Sequence, residues 1–134
     1  MPAQPMKCPL PYDAIGAVTL LEADRISIRR TLDAEEPVFR GHYPHQPIFP
    51  GVFILEAVVQ AVRRFAGAAS AGARLETVQS LRFQSPLGPG DTFELACECG
   101  APDAEGIFPV KARCTSAGKP VAEAKARFLW APHA

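Results

Sequence analysis

His42 and Glu56 stand fourteen positions apart, one in a proline-rich loop and the other inside an almost wholly apolar run. Between them the chain reads Gly41-His42-Tyr43-Pro44-His45-Gln46-Pro47-Ile48-Phe49-Pro50-Gly51-Val52-Phe53-Ile54-Leu55-Glu56-Ala57-Val58-Val59-Gln60. A histidine, a carboxylate and a helix start carrying free N–H donors at Gly51 are the groups needed to move protons beside a carbonyl. Glu56 has no Lys or Arg at helical spacing apart from Arg63, two turns on, so it either meets a partner from elsewhere or is driven toward its neutral acid. Gln60, at i+4, is placed to orient that carboxyl. A glutamate at a wet subunit boundary explains position 56 equally well. His42 taken alone is an ordinary loop histidine; the stiff segment Tyr43 to Pro50 holds it at a set place relative to the helix start and makes the pair more telling.

The elements around these residues follow from periodicity. Apolar positions from Val52 to Phe65 surround the helix, which predicts a helix over 51–67 that is buried on all sides. Pro47, Pro50 and Gly51 mark its start, and Arg63 and Arg64 complement the negative end of its dipole. Two strands precede it, over 17–22 and 25–32. A long strand follows over 75–83, and then the period becomes two: Phe93, Leu95, Cys97 and Cys99; Phe108, Val110, Ala112 and Cys114; Ala122, Ala124, Ala126, Phe128 and Trp130 each alternate with polar residues. Ser116-Ala117-Gly118-Lys119 reads as a hairpin turn. The fold class is α+β, one antiparallel sheet wrapped around one long central helix.

Composition narrows the function classes. The chain has 134 residues, 48% of them hydrophobic, with 14 Lys plus Arg against 14 Asp plus Glu. One domain over 1–134 is expected, with no net field to draw it to nucleic acid or a membrane surface. No signal-peptide pattern or spanning run is present, so a cytoplasmic protein is expected. Cys8, Cys97, Cys99 and Cys114 contain no Cys-x-x-Cys pair and read as reduced core thiols, and no metal site is expected.

The blocks Gly41-His42-Tyr43-Pro44, Pro47-Ile48-Phe49-Pro50-Gly51-Val52 and Glu56-Ala57 with Gln60 resemble the hot-dog-fold 3-hydroxyacyl-(acyl-carrier-protein) dehydratases of the FabZ type. Arg82-Phe83-Gln84-Ser85-Pro86-Leu87-Gly88-Pro89-Gly90-Asp91 is similar to that family's second signature, and Gly118 to Ala124 to its closing hairpin. The resemblance implies a hot-dog fold and a cofactor-free lyase that converts a 3-hydroxyacyl thioester to the trans-2-enoyl thioester. It implies that His42 abstracts the α-proton, Glu56 protonates the departing hydroxyl and the Gly51 amide binds the thioester oxygen, with Val52, Gln60, Phe49 and Tyr43 against the substrate. It also implies a homodimer or dimer-based oligomer in which His42 of one subunit meets Glu56 of the other. Glutamate at 56 favours plain dehydration over the relative that also isomerises the double bond.

The substrate carrier implied is an acyl carrier protein or a CoA thioester, in fatty-acid synthesis or a polyketide or polyene pathway. Arg63, Arg64, Arg74 and Arg82 are candidates for a basic rim that receives an acidic carrier. At the N-terminus, Leu10-Pro11-Tyr12-Asp13-Ala14-Ile15-Gly16-Ala17 departs from the family's pattern. His45 reads as an exposed turn residue and His133 as an inert tail residue. The competing readings are an acyl-thioester hydrolase and a non-catalytic acyl-binding partner subunit of the same fold.

Overall fold

The computed structural model describes residues 13–36, 39, 49, 51–67 and 73–130. His42, Tyr43, His45, His133, Cys8 and the Leu10-Pro11-Tyr12 stretch lie outside the described residues.

Six strands form one antiparallel sheet: β1 (Ala17–Leu21), β2 (Arg25–Thr31), β3 (Ala73–Phe83), β4 (Thr92–Cys99), β5 (Ile107–Ser116) and β6 (Lys119–Trp130). Among the described residues there is one helix, α1 (Gly51–Ala66), which joins β2 to β3 in sequence. The strand order β1-β2-β4-β5-β6-β3 leaves β1 and β3 as the two edges. Alternation in β4, β5 and β6 sends Phe93, Leu95, Cys97, Phe108, Val110, Ala126 and Phe128 to one buried face, where α1 packs across β2, β4, β6 and β3. Ala57 and Ala61, both fully buried, let the helix backbone come close to that face.

β3 breaks the rule of two. Leu75 opposes Phe128, Val78 opposes Ala126 and Leu81 opposes Ala124, with the register shifting between Leu75 and Thr77 and again between Val78 and Ser80. Glu76 and Gln79 are therefore extra residues of two bulges. Residues directly opposed on antiparallel strands share a face, so Leu75, Val78 and Leu81 all lie on the inner side at a spacing of three.

The helix is not buried on all sides. Its buried positions are Ile54, Ala57, Val58, Ala61, Val62 and Ala66, which occupy one arc, whereas Val52 is 64% exposed. Leu55, Glu56 and Val59 are only half-buried and Arg63 is exposed. At about 100° per residue, Val52, Glu56, Val59 and Arg63 fall within one narrow stripe. The sequence reading failed here because one sheet reaches only one side of a cylinder. The uncovered stripe has company on the edge strand, where Val78 is 37% and Phe83 50% exposed.

Cys97, Cys99 and Cys114 are free and buried on the inner face. Burial pushes the Cys114 thiol up to about 12, and burial followed by the Asp24 carboxylate does the same for Cys99. Cys97 is raised by burial first and by its neighbours Cys99 and Cys114 second. These three thiols are expected to resist a disulfide reagent at pH 8 in the folded protein and to react on unfolding. Fast native-state labelling of any of them, mapped by peptide mass, would contradict their placement.

In the β5–β6 turn, Ala117 and Gly118 both take positive φ, 51° and 79°. A two-residue turn of this hand suits the strand twist but disfavours alanine. Ala117→Asn is expected to stabilise the fold by about 1 kcal/mol, read as a shift of the urea midpoint at constant slope.

Candidate active site

The start of α1 is held by the segment that links β3 to β4. Gln84 and Ser85 donate their N–H groups to the Val121 carbonyl at 2.8 and 3.3 Å, which clamps the end of β3 onto β6. The Leu87 carbonyl accepts the Phe49 N–H at 2.7 Å, so the chain just before the helix is tied to the same segment. The turn that follows is closed by the Asp91 carboxylate, which accepts the Gly88 N–H at 2.8 Å. Leu32, just after β2, grips it from the other side, accepting from Gly90 N–H at 2.6 Å and donating to the Asp91 carbonyl at 2.8 Å.

The two ends of the segment that carries His42 in the sequence are also anchored. Arg30 and Glu36 pair at 2.7 Å with side chains only 12% and 14% exposed, and Glu36 also accepts the Asp33 N–H at 2.8 Å. This turn leads to Phe39, which is buried with its ring centroid 6.2 Å from that of Phe49. Phe49 in turn lies 5.6 Å from Phe53 and 6.2 Å from Phe93. An aromatic cluster thus joins both ends of 39–49 to the core.

Gly51 opens the helix, and its first-turn N–H groups have no partners within the helix. The Phe83 ring lies over it so closely that an added Cβ would collide with the ring. Beside them is a cavity of about 370 Å³ bordered by Phe49, Gly51, Ile54, Phe83 and Leu87. The cavity, with Gln84 and Ser85 also on its border, joins a mainly apolar wall to the positive end of a helix dipole, which suits a polarised carbonyl attached to an apolar chain.

Glu56 is elsewhere on the helix. Five residues separate it from Gly51, which turns it about 140° around the axis, away from the side on which Ile54 meets the cavity. The Glu56 Oε2 accepts a hydrogen bond from Gln60 Nε2 at 2.8 Å, and Gln60 Oε1 accepts the Ala14 N–H at 3.0 Å. The expected i+4 contact is therefore made. Of the sequence-proposed site residues, Phe49 and Gly51 come together at the cavity, Glu56 and Gln60 come together on the other side, and Val52 projects outward beside Glu56. Phe83 and Ala14 were not singled out as site residues. Phe83 stood in a quoted motif, but its position over Gly51 depends on how β3 meets the helix, and a backbone N–H carries no signal in residue type.

The four arginines do not make one rim. Arg63 and Arg64 sit in the last turn of α1, twelve and thirteen residues beyond Gly51 and so about 18–20 Å along the axis. Arg74 and Arg82 lie near opposite ends of β3, about 26 Å apart in an extended strand. Arg63 is also engaged, its Nε donating to the Ala73 carbonyl at 3.4 Å.

Known proteins place the arrangement in context. A model of the ApeI-like family, described as ApeI dehydratase, matches residues 19–122. A 3-hydroxyacyl-[acyl-carrier-protein] dehydratase FabZ from Syntrophotalea carbinolica is 35% identical over 129 residues, covering 91% of this chain and 86% of that protein. The FabZ of Thermus thermophilus is 38% identical over 117 residues, 82% of each chain. Among solved structures, the dehydratase heterocomplex ApeI:P from Xenorhabdus doucetiae matches with a TM-score of 0.66 at 23% identity, over 81% of this chain and 89% of that one.

Gly51→Ala tests the cavity wall. The added methyl must displace the half-exposed Phe83 ring, so a loss of about 1 kcal/mol is expected, most of it recovered in Gly51→Ala/Phe83→Ala. An unchanged urea midpoint for Gly51→Ala would show that the ring does not rest on this residue.

Proposed function

Because the chain belongs to the ApeI-like and FabZ-type family of 3-hydroxyacyl-[acyl-carrier-protein] dehydratases, with their hot-dog fold, it is an enzyme that removes water from a 3-hydroxyacyl thioester, and we propose that it does so at a site divided between two copies of the chain. His42 takes the proton from the α-carbon. The electron pair moves toward the thioester oxygen, which receives the Gly51 N–H at the start of α1. Glu56 of the partner subunit gives its proton to the 3-hydroxyl oxygen, the C–O bond breaks, and water leaves behind a trans-2-enoyl thioester. Phe49, Val52, Tyr43 and Gln60 surround the reacting chain, and an acyl carrier protein presents the substrate.

The observation that carries this reading is the separation of Glu56 from the Gly51 cavity on opposite sides of one helix. Within a single chain the acid faces away from the donors it must work with. The stripe Val52, Glu56, Val59 and Arg63 is not covered by the sheet, its member Arg63 reaches the Ala73 carbonyl at the start of edge strand β3, and its two apolar members need cover. A second copy, paired antiparallel along β3, covers that apolar surface and brings Glu56 of each subunit toward the cavity of the other. The same pairing sets Arg74 near Arg82 of the partner subunit, which gathers positive charge at two symmetric points for an acidic carrier.

Subunit complementation tests it. His42→Ala and Glu56→Gln are each expected to lose hydration of a short trans-2-enoyl thioester on an acyl carrier protein. Mixed after subunit exchange, they should recover roughly a quarter of wild-type activity, since half of the dimers are hybrids and each hybrid has one intact site. No recovery in mixtures shown by mass to contain hybrids would place both residues of a site in one chain. Release of free thiol in place of enoyl consumption would identify a hydrolase.

A further inference from the structure

Gln60 is held at both ends of its amide, and the two contacts have opposite polarity. Oε1 accepts the Ala14 N–H at 3.0 Å, while Nε2 donates to Glu56 Oε2 at 2.8 Å. An amide rotated by half a turn would place oxygen against the carboxylate and nitrogen against an N–H, losing both bonds. The Ala14 N–H therefore determines which end of Gln60 meets the acid. Ala14 is 1% exposed, so leaving that donor unpaired is costly and the contact is correspondingly persistent.

The turn that delivers the N–H is itself constrained. Asp13 Oδ1 accepts the N–H groups of Ile15 and Gly16 at 3.1 and 3.2 Å. Gly16 has φ +62°, and a Cβ there would lie 2.7 Å from the Arg29 carbonyl oxygen on β2. The turn can approach β2 this closely only with glycine.

We propose that the turn 13–16 is a positioning element for the Glu56 carboxyl, acting through the Ala14 N–H and the Gln60 amide. The proposal rests on the reading of Glu56 as the acid. With Oε2 engaged as an acceptor, the transferable proton resides on Oε1. As that proton passes to the departing hydroxyl, negative charge grows on the carboxyl group, and the Gln60 N–H bond at Oε2 strengthens with it. The interaction favours the transition state over the ground state, so its loss lowers kcat and leaves KM little changed. This stretch is also where the N-terminal sequence departs from the family pattern, and the structure gives the divergent residues a task.

The test is a double-mutant cycle on kcat and KM for dehydration of a short 3-hydroxyacyl thioester on acyl carrier protein, with melting temperature followed in parallel. Gln60→Leu is expected to lower kcat about 10-fold or more with KM within about 2-fold, and Gln60→Met replaces it if the leucine variant does not fold. Asp13→Ala, at an exposed position, is expected to lower kcat about 3- to 10-fold, and Asp13→Asn, which keeps the Oδ1 acceptor, to restore it. In the Gln60→Leu background Asp13→Ala should cause no further loss, because both act along one chain of contacts. Amide exchange at Ala14 should be slow in the wild type and at least about 10-fold faster in the Gln60 variant. Wild-type kcat in Asp13→Ala, fully multiplicative losses, or an unprotected Ala14 amide overturns the proposal. Glu56→Gln separates the two levels: if it abolishes activity while Asp13→Ala does not reduce it, only the positioning role fails, and if it retains activity the acid assignment and the positioning role fail together.

Discussion

One helix must cover the inner face of a six-stranded sheet, and one sheet can reach only one side of that helix. Both halves of this mismatch shape the molecule. The sheet curls toward α1 and buries Ile54, Ala57, Val58, Ala61 and Val62, while Val52 and Val59 stay wholly or partly open to solvent. Apolar residues on the outer side of α1 are left open to solvent, and the edge strand β3 also presents apolar side chains. In the proposed divided site, the cover they need is the same second chain that the chemistry needs. On that proposal, assembly and catalysis depend on a single geometric shortage.

Placing the helix start is a separate task, and backbone hydrogen bonds perform it. Phe49 is tied to Leu87, Gln84 and Ser85 to Val121, and the Gly88–Asp91 turn to Leu32. These bonds draw β2, β3, β4 and β6 to the point where α1 begins. The Pro-Gly-Asp motif acts through this bracing: Asp91 closes a turn and does not border the cavity. Phe83, by contrast, stands directly over Gly51 and shapes the space in front of the helix start.

Glu56 is set by different contacts from those that set Gly51. The helix start answers to the β3–β4 link, whereas the Glu56 carboxyl answers through Gln60 to the turn ahead of β1. Independent supports for the two groups to which the proposed function gives one reaction fit a site whose halves come from different chains, each half held rigid in its own subunit.

Much of this was legible in residue order. Alternation identified β4, β5 and β6, the Pro and Gly punctuation located the helix to within a residue, and the i+4 spacing anticipated the Glu56–Gln60 bond. The strand expected over 75–83 is β3, but which of its residues face inward was not legible, because two bulges change the spacing from two to three and bulges follow from pairing with β6. The arginines looked like one cluster because sequence proximity hides a strand's length. What the sequence by itself determined was the set of elements and the local contacts within a turn or two of helix, since these depend on periods and short-range sterics. Only the tertiary structure decided which arc of α1 is covered, where the Phe83 ring rests, and which N–H orients Gln60. Each of these is a meeting of segments far apart in the chain, 46 residues in the last case, and is set by the register and bending of the sheet between them.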